Sequence, residues 1–171
     1  PEPPLSHRLV IFKQPGKESL TQDIREIIRR FAGRAYRRPA SKSEIERLMD
    51  LYTFARKSGD SFEGGIKLVI QAVLISPNFL FRCELDPQIS PAATGHSIGD
   101  YELASRLSYF LWSSMPDENL SYLAELGILS DPDILQDQVQ QMLQDPKAEA
   151  LVDNFAEQWL QIRNLDHLKP D

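Results

Sequence analysis

GIKLVIQAVLI at residues 65–75 and DYELASRLSYFLW at residues 100–112 are the two most apolar stretches of this chain, and how they are read decides the fold. Between Ile66 and Ile75 only Lys67 and Gln71 are strongly polar, and a run of that length fits a buried helix better than a strand. In the second stretch Leu103, Leu107 and Leu111 recur at helical spacing, and Tyr101, Tyr109, Phe110 and Trp112 add aromatic surface. Asp100 offers a carboxylate as N-cap. Neither run approaches the roughly 18 apolar residues that span a bilayer, so no membrane insertion is expected.

Working outward, Ser19-x-x-Gln22 and Ser41-x-x-Glu44 both have capping-box form. The first precedes a stripe of Ile24, Ile27, Ile28, Phe31 and Ala35 that ends before Pro39. The second precedes Ile45, Leu48, Met49, Tyr52 and Ala55, which run to Ser58-Gly59-Asp60. Ser76-Pro77-Asn78 breaks the next helix, because the residue before proline is pushed out of the α region, and leaves Phe79, Leu80 and Phe81 as a patch beyond it.

Downstream, Pro116 ends the Asp100 helix and Gly127 closes a short one over Glu118–Leu126. Asp131-Pro132 opens a helix with Ile134, Leu135, Val139, Met142 and Leu143. Asp145-Pro146 opens the last, with Leu151, Val152, Phe155, Trp159 and Ile162 on its apolar side. The pattern predicts an all-α fold: a multi-helix bundle of about seven helices in two closely packed halves, with an irregular N-terminal segment.

Residues 1–18 read as a linker, 19–85 as a first helical domain, 86–99 as a Pro- and Gly-containing linker, and 100–171 as a second domain. Ile70 and Leu74 from the first half, with Leu107, Phe110 and Trp112 from the second, are expected to pack the halves together. The N-terminus has no initiator Met and no basic-then-apolar leader pattern, so the chain reads as a segment of a longer one.

Charge is unevenly shared. Residues 1–85 hold 15 Lys and Arg against 10 Asp and Glu, a net +5, and residues 86–171 hold 4 against 15, a net −11. The asymmetry favours docking of one half on the other. It speaks against nucleic-acid binding, since the acidic half repels a phosphate backbone.

A catalytic set is hard to assemble from these residues. The single cysteine, Cys83, excludes an internal disulfide, a CxxC zinc site and a CxxCH haem attachment, and it reads as a small buried hydrophobe. His7, His96 and His167 are scattered, so a histidine metal site needs all three to converge; His96 with Asp100 one turn on is better explained by Asp100 as a cap. Asp153 and Glu157 lie a turn apart without the Glu-x-x-His elements of a metal bundle, and read as a solvated acidic face. Ser61, Ser76, Ser105 and Ser108 have no G-x-S-x-G context. No catalytic residue, metal ligand or cofactor site is assigned.

Three groups remain as candidates. Arg29, Arg30, Arg34, Arg37 and Arg38 gather near the end of the first helix, where they suit the helix dipole or form a surface for an anion, a haem propionate or an acidic partner. Arg106, the one basic residue in its aromatic helix, is expected to be buried and paired with Glu102 or Asp117. The Tyr101, Tyr109, Phe110 and Trp112 cluster serves core packing, or a stack for a porphyrin or sugar ring.

RRFAGRAYRRPAS at 29–41, GIKLVIQAVLISPNFLFR at 65–82, DYELASRLSYFLWSSMPDENL at 100–120 and LVDNFAEQWLQIRNL at 151–165 together resemble two adjacent domains of unknown function from large planctomycete proteins. The resemblance runs from Thr21 to the C-terminus, and the second domain is expected to continue past Asp171. It implies an exported parent, extracytoplasmic or periplasmic, in which these domains precede a cytochrome-like module bearing CxxCH. Haem c is then expected elsewhere in the parent and not in this segment, where Cys83 is followed by Glu84.

The function expected on this basis is a non-catalytic helical scaffold or interaction module of a haem-c-linked redox protein. Its partners would be neighbouring domains of the same chain, and no small-molecule ligand is specified. The alternative is a polysaccharide-related enzyme or ligand-binding domain that uses the aromatic cluster and carboxylates. Carboxylates facing across an open cleft would support it, and a buried Trp112 would remove it.

Overall fold

Ser41 starts the best-defined helix as its sequence promises: its Oγ accepts the Glu44 amide at 3.3 Å, while the Glu44 carboxylate accepts the Ser41 amide at 2.7 Å. Both orphan donors of the helix start are thereby satisfied. The computed structural model describes residues 10–12, 20–81 and 98–160, and among them every regular element is helical. The chain divides into two compact units, Pro1–Leu85 and Asp86–Asp171.

The first unit contains α1 (Leu20–Tyr36), α2 (Lys42–Lys57), α3 (Phe62–Leu74) and the single turn α4 (Pro77–Leu80). Ser61 caps α3 by accepting the Gly64 amide at 3.0 Å. Beyond α2, Gly59 takes φ 97°, a left-handed turn that a side chain would oppose. Ile24, Ile27 and Ile28 of α1, Ile45, Leu48 and Tyr52 of α2, and Ile66, Val69 and Val73 of α3 form one buried core. Each such side chain contributes about 1.5–3 kcal/mol on removal from water.

Gly65 of α3 lies against Tyr52 of α2, where an added Cβ would lie 2.7 Å from Tyr52 Cε2. Gly65→Ala is therefore expected to destabilise the first unit by about 1–3 kcal/mol through overpacking, read as a lower midpoint in thermal unfolding followed by circular dichroism. An unchanged midpoint would show that the two helices separate freely.

Two features of this unit depart from the sequence reading. The apolar run is not buried all round: Ile66, Val69 and Val73 face the core, whereas Leu74 and Ile75 are 41% and 75% exposed. Three packed helices leave each with an outer face, and Leu74 and Ile75 fall on that of α3. Pro77 does not only break α3. It occupies the first turn of α4, whose cap Ser76 accepts the Asn78 amide, a position where the missing proline N–H does no harm. The proposed Ser19 box lies outside the described residues, as do most of the proposed linkers at 1–18 and 86–99.

The second unit contains α5 (Asp100–Trp112), α6 (Glu118–Glu125) and α7 (Pro132–Gln144), followed by a 3-10 turn at Pro146–Ala148 and a helical run over 149–159. The middle of that run, Val152–Ala156, is π-helical. Asp117, Asp131 and Asp145 each accept amides at the start of the element they precede. Gly127, at φ 68°, closes α6. Ala104, Leu111, Trp112, Leu120, Ala124, Leu129 and Met142 form the core.

Here too the sequence reading needs correction. The inward line of α5 is Ala104, Ser108 and Leu111, with Leu103 and Leu107 flanking it half-buried. Small residues at 104 and 108 let the neighbouring helices approach that line. Asp100 is not the cap: Gly99 occupies that position, and Asp100, one residue further in, accepts the Leu129 amide at 2.8 Å and ties down the loop after α6. The expected stripe of the last helix is largely exposed at Val152, Phe155 and Trp159, and Ile162 lies outside the described residues. Ile70 packs on the first core, Leu107 on the second, and Trp112 lies within the second.

Candidate functional site

Tyr36 ends α1, and Arg37 turns the chain by adopting φ 59°, unusual for a residue with a side chain. Its guanidinium donates to the carbonyls of Asn78 and Phe81, each at 3.0 Å, and more weakly to that of Phe79. Those carbonyls lie at the C-terminal end of α4, where acceptors lack helical partners and a cation is favourable. Arg38 then turns inward and grips Glu44 with both nitrogens, Nη2 to Oε1 at 2.8 Å and Nη1 to Oε2 at 3.0 Å.

Glu44 is the hub. Besides Arg38 and the Ser41 amide, its Oε1 accepts Asn78 Nδ2 at 2.8 Å, so one buried carboxylate joins the α1–α2 turn, the start of α2 and α4. The Arg38 hydrogen bonds hold its pKa down to about 2, against the opposing effect of burial, and the Ser41 bonds reinforce the shift. A carboxylate committed in this way stays ionised and does not trade protons near neutral pH. Beside it lies an open cleft of about 390 Å³ lined by Tyr36, Glu44, Arg47, Leu48 and Asn78 among others.

The five arginines do not make one continuous surface. Arg29 pairs with Glu26 on the exposed side of α1 at 2.7 Å, Arg30 lies over the Phe12 ring at 4.9 Å, and Arg34 is exposed. Arg37 and Arg38 are turned into the unit. Arg106 is exposed, contrary to the expected burial, because it falls on the side of α5 opposite Ala104, Ser108 and Leu111. Of its expected partners, Asp117 caps α6 through the Leu120 amide at 2.8 Å, and Glu102 is half-buried. Arg38–Glu44 is a part-buried ion pair that joins residues on either side of Pro39. Its sequence signal was a capping-box Glu with an Arg just upstream.

The aromatic cluster also separates. Trp112 is buried, donates Nε1–H to the Met142 carbonyl at 2.9 Å and carries Lys147 Nζ 4.3 Å from its ring centre. Tyr101 and Tyr109 are half-buried, and burial raises the Tyr101 pKa. Phe110 instead meets Phe155 edge-on at 5.7 Å, and Phe155 stacks on Trp159 at 6.1 Å. These three rings are 55%, 48% and 72% exposed. Of the four aromatics on α5, Phe110 is the exposed one, and it joins a ladder that runs to the final helical run.

Among the described residues, no three His, Cys, Asp or Glu side chains are placed to hold a metal. Cys83, His7, His96 and His167 lie outside those residues. Ser61 and Ser76 are caps, and the buried Ser108 hydroxyl donates to the Ser105 carbonyl at 3.1 Å. Asp153 is exposed and Glu157 half-buried. No described helix is long and apolar enough to cross a membrane.

Comparison with known families assigns each unit separately. Residues 23–84 match PSD5, protein of unknown function (DUF1595), and residues 98–171 match PSD4, protein of unknown function (DUF1592). Comparison with curated proteins and with solved structures finds no match. The chain thus carries two adjacent domains, one similar to DUF1595 and the next to DUF1592, both of them families of unknown function.

Proposed function

We propose that this chain is a non-catalytic helical interaction module of a larger exported protein, in which it positions a neighbouring haem-c-bearing domain. The observation that carries the reading is the Phe110–Phe155–Trp159 ladder, a contiguous exposed apolar surface of the sort that marks an interaction site. The export, the extracytoplasmic or periplasmic location and the haem c of the neighbour rest on the resemblance to planctomycete domain pairs. This segment's lone Cys83 lacks the second thiol that covalent haem attachment requires, so haem belongs to the neighbour. The polysaccharide-related alternative loses its platform, because Trp112 is buried.

The test joins the chain with the CxxCH-bearing segment of its parent. After expression with a cytochrome c maturation system the chain alone is expected to show no haem absorbance, and titration calorimetry is expected to give a one-to-one complex with the haem-bearing segment. No association between the two would sink the proposal.

A further inference from the structure

We propose that the cleft beside Glu44 is a binding site for a small organic carboxylate with an apolar body, an inference independent of the aromatic ladder and of whatever partner the second unit meets. At about 390 Å³ the cleft falls within the range of small-molecule sites, and it is built wholly from the first unit. Leu48 and Leu51 of α2, Ala72 of α3 and Pro77 of α4 give it an apolar wall. The polar groups of the lining that remain uncommitted are mostly donors. Glu44, its one carboxylate, is already filled: Oε1 accepts Arg38 Nη2 and Asn78 Nδ2, and Oε2 accepts Arg38 Nη1 and the Ser41 amide. Tyr36 is 7% exposed, yet its hydroxyl has no hydrogen-bond partner among the described residues. A hydroxyl so far removed from water ordinarily finds one. Ser76 Oγ accepts the Asn78 amide at 3.3 Å and keeps its own O–H to give, and the Asn78 side-chain amide has spent one of its two N–H groups on Glu44. Asn78 Oδ1 is the one side-chain carbonyl beside them.

Charge narrows the ligand to a monoanion. The lining holds two charged side chains, Glu44 and Arg47, and Arg38 matches the first. Arg47 makes no hydrogen bond or ion pair with any described residue: its neighbour Glu46 is taken by Arg25 at 2.9 Å, and Asp50, one turn further along α2, forms no ion pair with it. One negative charge therefore balances the site. A cation would meet Arg47, and a dianion would place a surplus charge near Glu44. A carboxylate suits the planar guanidinium, which can grip it with two parallel N–H groups, and leaves lone pairs for the Tyr36 and Ser76 hydroxyls. A hydrocarbon body would lie on Leu48, Leu51 and Pro77, where it leaves water.

The probe is octanoate, titrated at neutral pH into the full chain labelled with nitrogen-15 and followed by amide NMR. Saturable shifts centred on Tyr36, Arg47, Ser76 and Asn78 are expected, with a dissociation constant of about 1 mM or tighter. Arg47→Gln is expected to weaken binding about tenfold and Tyr36→Phe about threefold, with Arg47→Lys between the unaltered chain and Arg47→Gln because it keeps the charge without the fork. Arg47 is exposed and phenylalanine keeps the Tyr36 ring, so these variants are expected to retain the circular dichroism of the unaltered chain. Acetate, which has the charge without the tail, is expected to bind at least about tenfold more weakly than octanoate. No saturation by about 10 mM octanoate, or shifts scattered away from the cleft, would overturn the proposal. So would equal binding of octanol, octyltrimethylammonium, acetate or inorganic phosphate, or undiminished binding of octanoate to Arg47→Gln.

Discussion

Trp112→Ala is expected to lower the stability of the second unit by about 3–5 kcal/mol, the range for truncating a large buried aromatic. Trp112 is 5% exposed and lies among Ala104, Leu111, Leu120, Leu129 and Met142, so little can collapse into the space it vacates. Two further interactions vanish with the ring: the hydrogen bond to the Met142 carbonyl and the Lys147 contact. Trp112→Phe keeps most of the volume and removes the indole hydrogen bond, leaving the Met142 carbonyl to the Asp145 amide at 3.3 Å, and should lose about 1–2 kcal/mol. Both tryptophans belong to the second unit, so Trp159 remains as its fluorescent reporter when Trp112 is replaced. Urea unfolding followed at Trp159 measures the loss; a change under about 1 kcal/mol would mean that the indole is not seated in the core.

Glu44→Ala should destabilise the first unit by a similar amount, about 3–5 kcal/mol, because it leaves the partly buried Arg38 guanidinium without its carboxylate. The Ser41 amide and Asn78 side chain lose an acceptor in the same step. Acid should reproduce part of this effect. The folded carboxyl is held down from 4.5 to about 2, so its contribution is fully present above pH 4.5 and is lost as pH falls from there through about 2. That shift corresponds to about 3 kcal/mol. Other carboxyls titrate in the same range, so the quantity to follow is the difference between the unaltered chain and Glu44→Gln, measured by circular dichroism at several pH values. A gap that stays constant from pH 7 to pH 2 would show that Glu44 is not the titrating group.

Much of the fold could be read directly from local chemistry. Ser41-x-x-Glu44 is a box in which both partners are three residues apart, and the stripe behind it, Ile45 to Ala55, is buried throughout. Asp131-Pro132 and Asp145-Pro146 start their elements for the same local reasons. Periodicity failed where hydrophobicity had no period. The run from Ile66 to Ile75 has only Lys67 and Gln71 as strongly polar positions, too few to mark its outer face, so its sequence does not reveal that Leu74 and Ile75 face outward. A stripe such as Val152, Phe155 and Trp159 has the right spacing, yet spacing alone does not say whether anything covers it.

The site residues were less legible, since their partners are distant in sequence. Asp100 has the form of a cap, but its acceptor serves Leu129, 29 positions away. The Arg38–Glu44 pair depends on a left-handed Arg37, which no propensity announces. The composition of its helix points Arg106 to a buried role, whereas its angular position relative to Ala104 and Ser108 decides its exposure.

Arg37 also makes the end of the first unit a mechanical joint. Tension applied along the chain beyond Phe81 does not peel α4 away one bond at a time; it loads the carbonyls of Asn78, Phe79 and Phe81 together against one guanidinium. Beside the covalent path back through Ser76 into α3, part of the load passes to the C-terminus of α1, whose Ile24, Ile27, Ile28 and Ala32 are anchored in the core. Force reaching this unit from its C-terminal side is shared by its first long helix as well as its last.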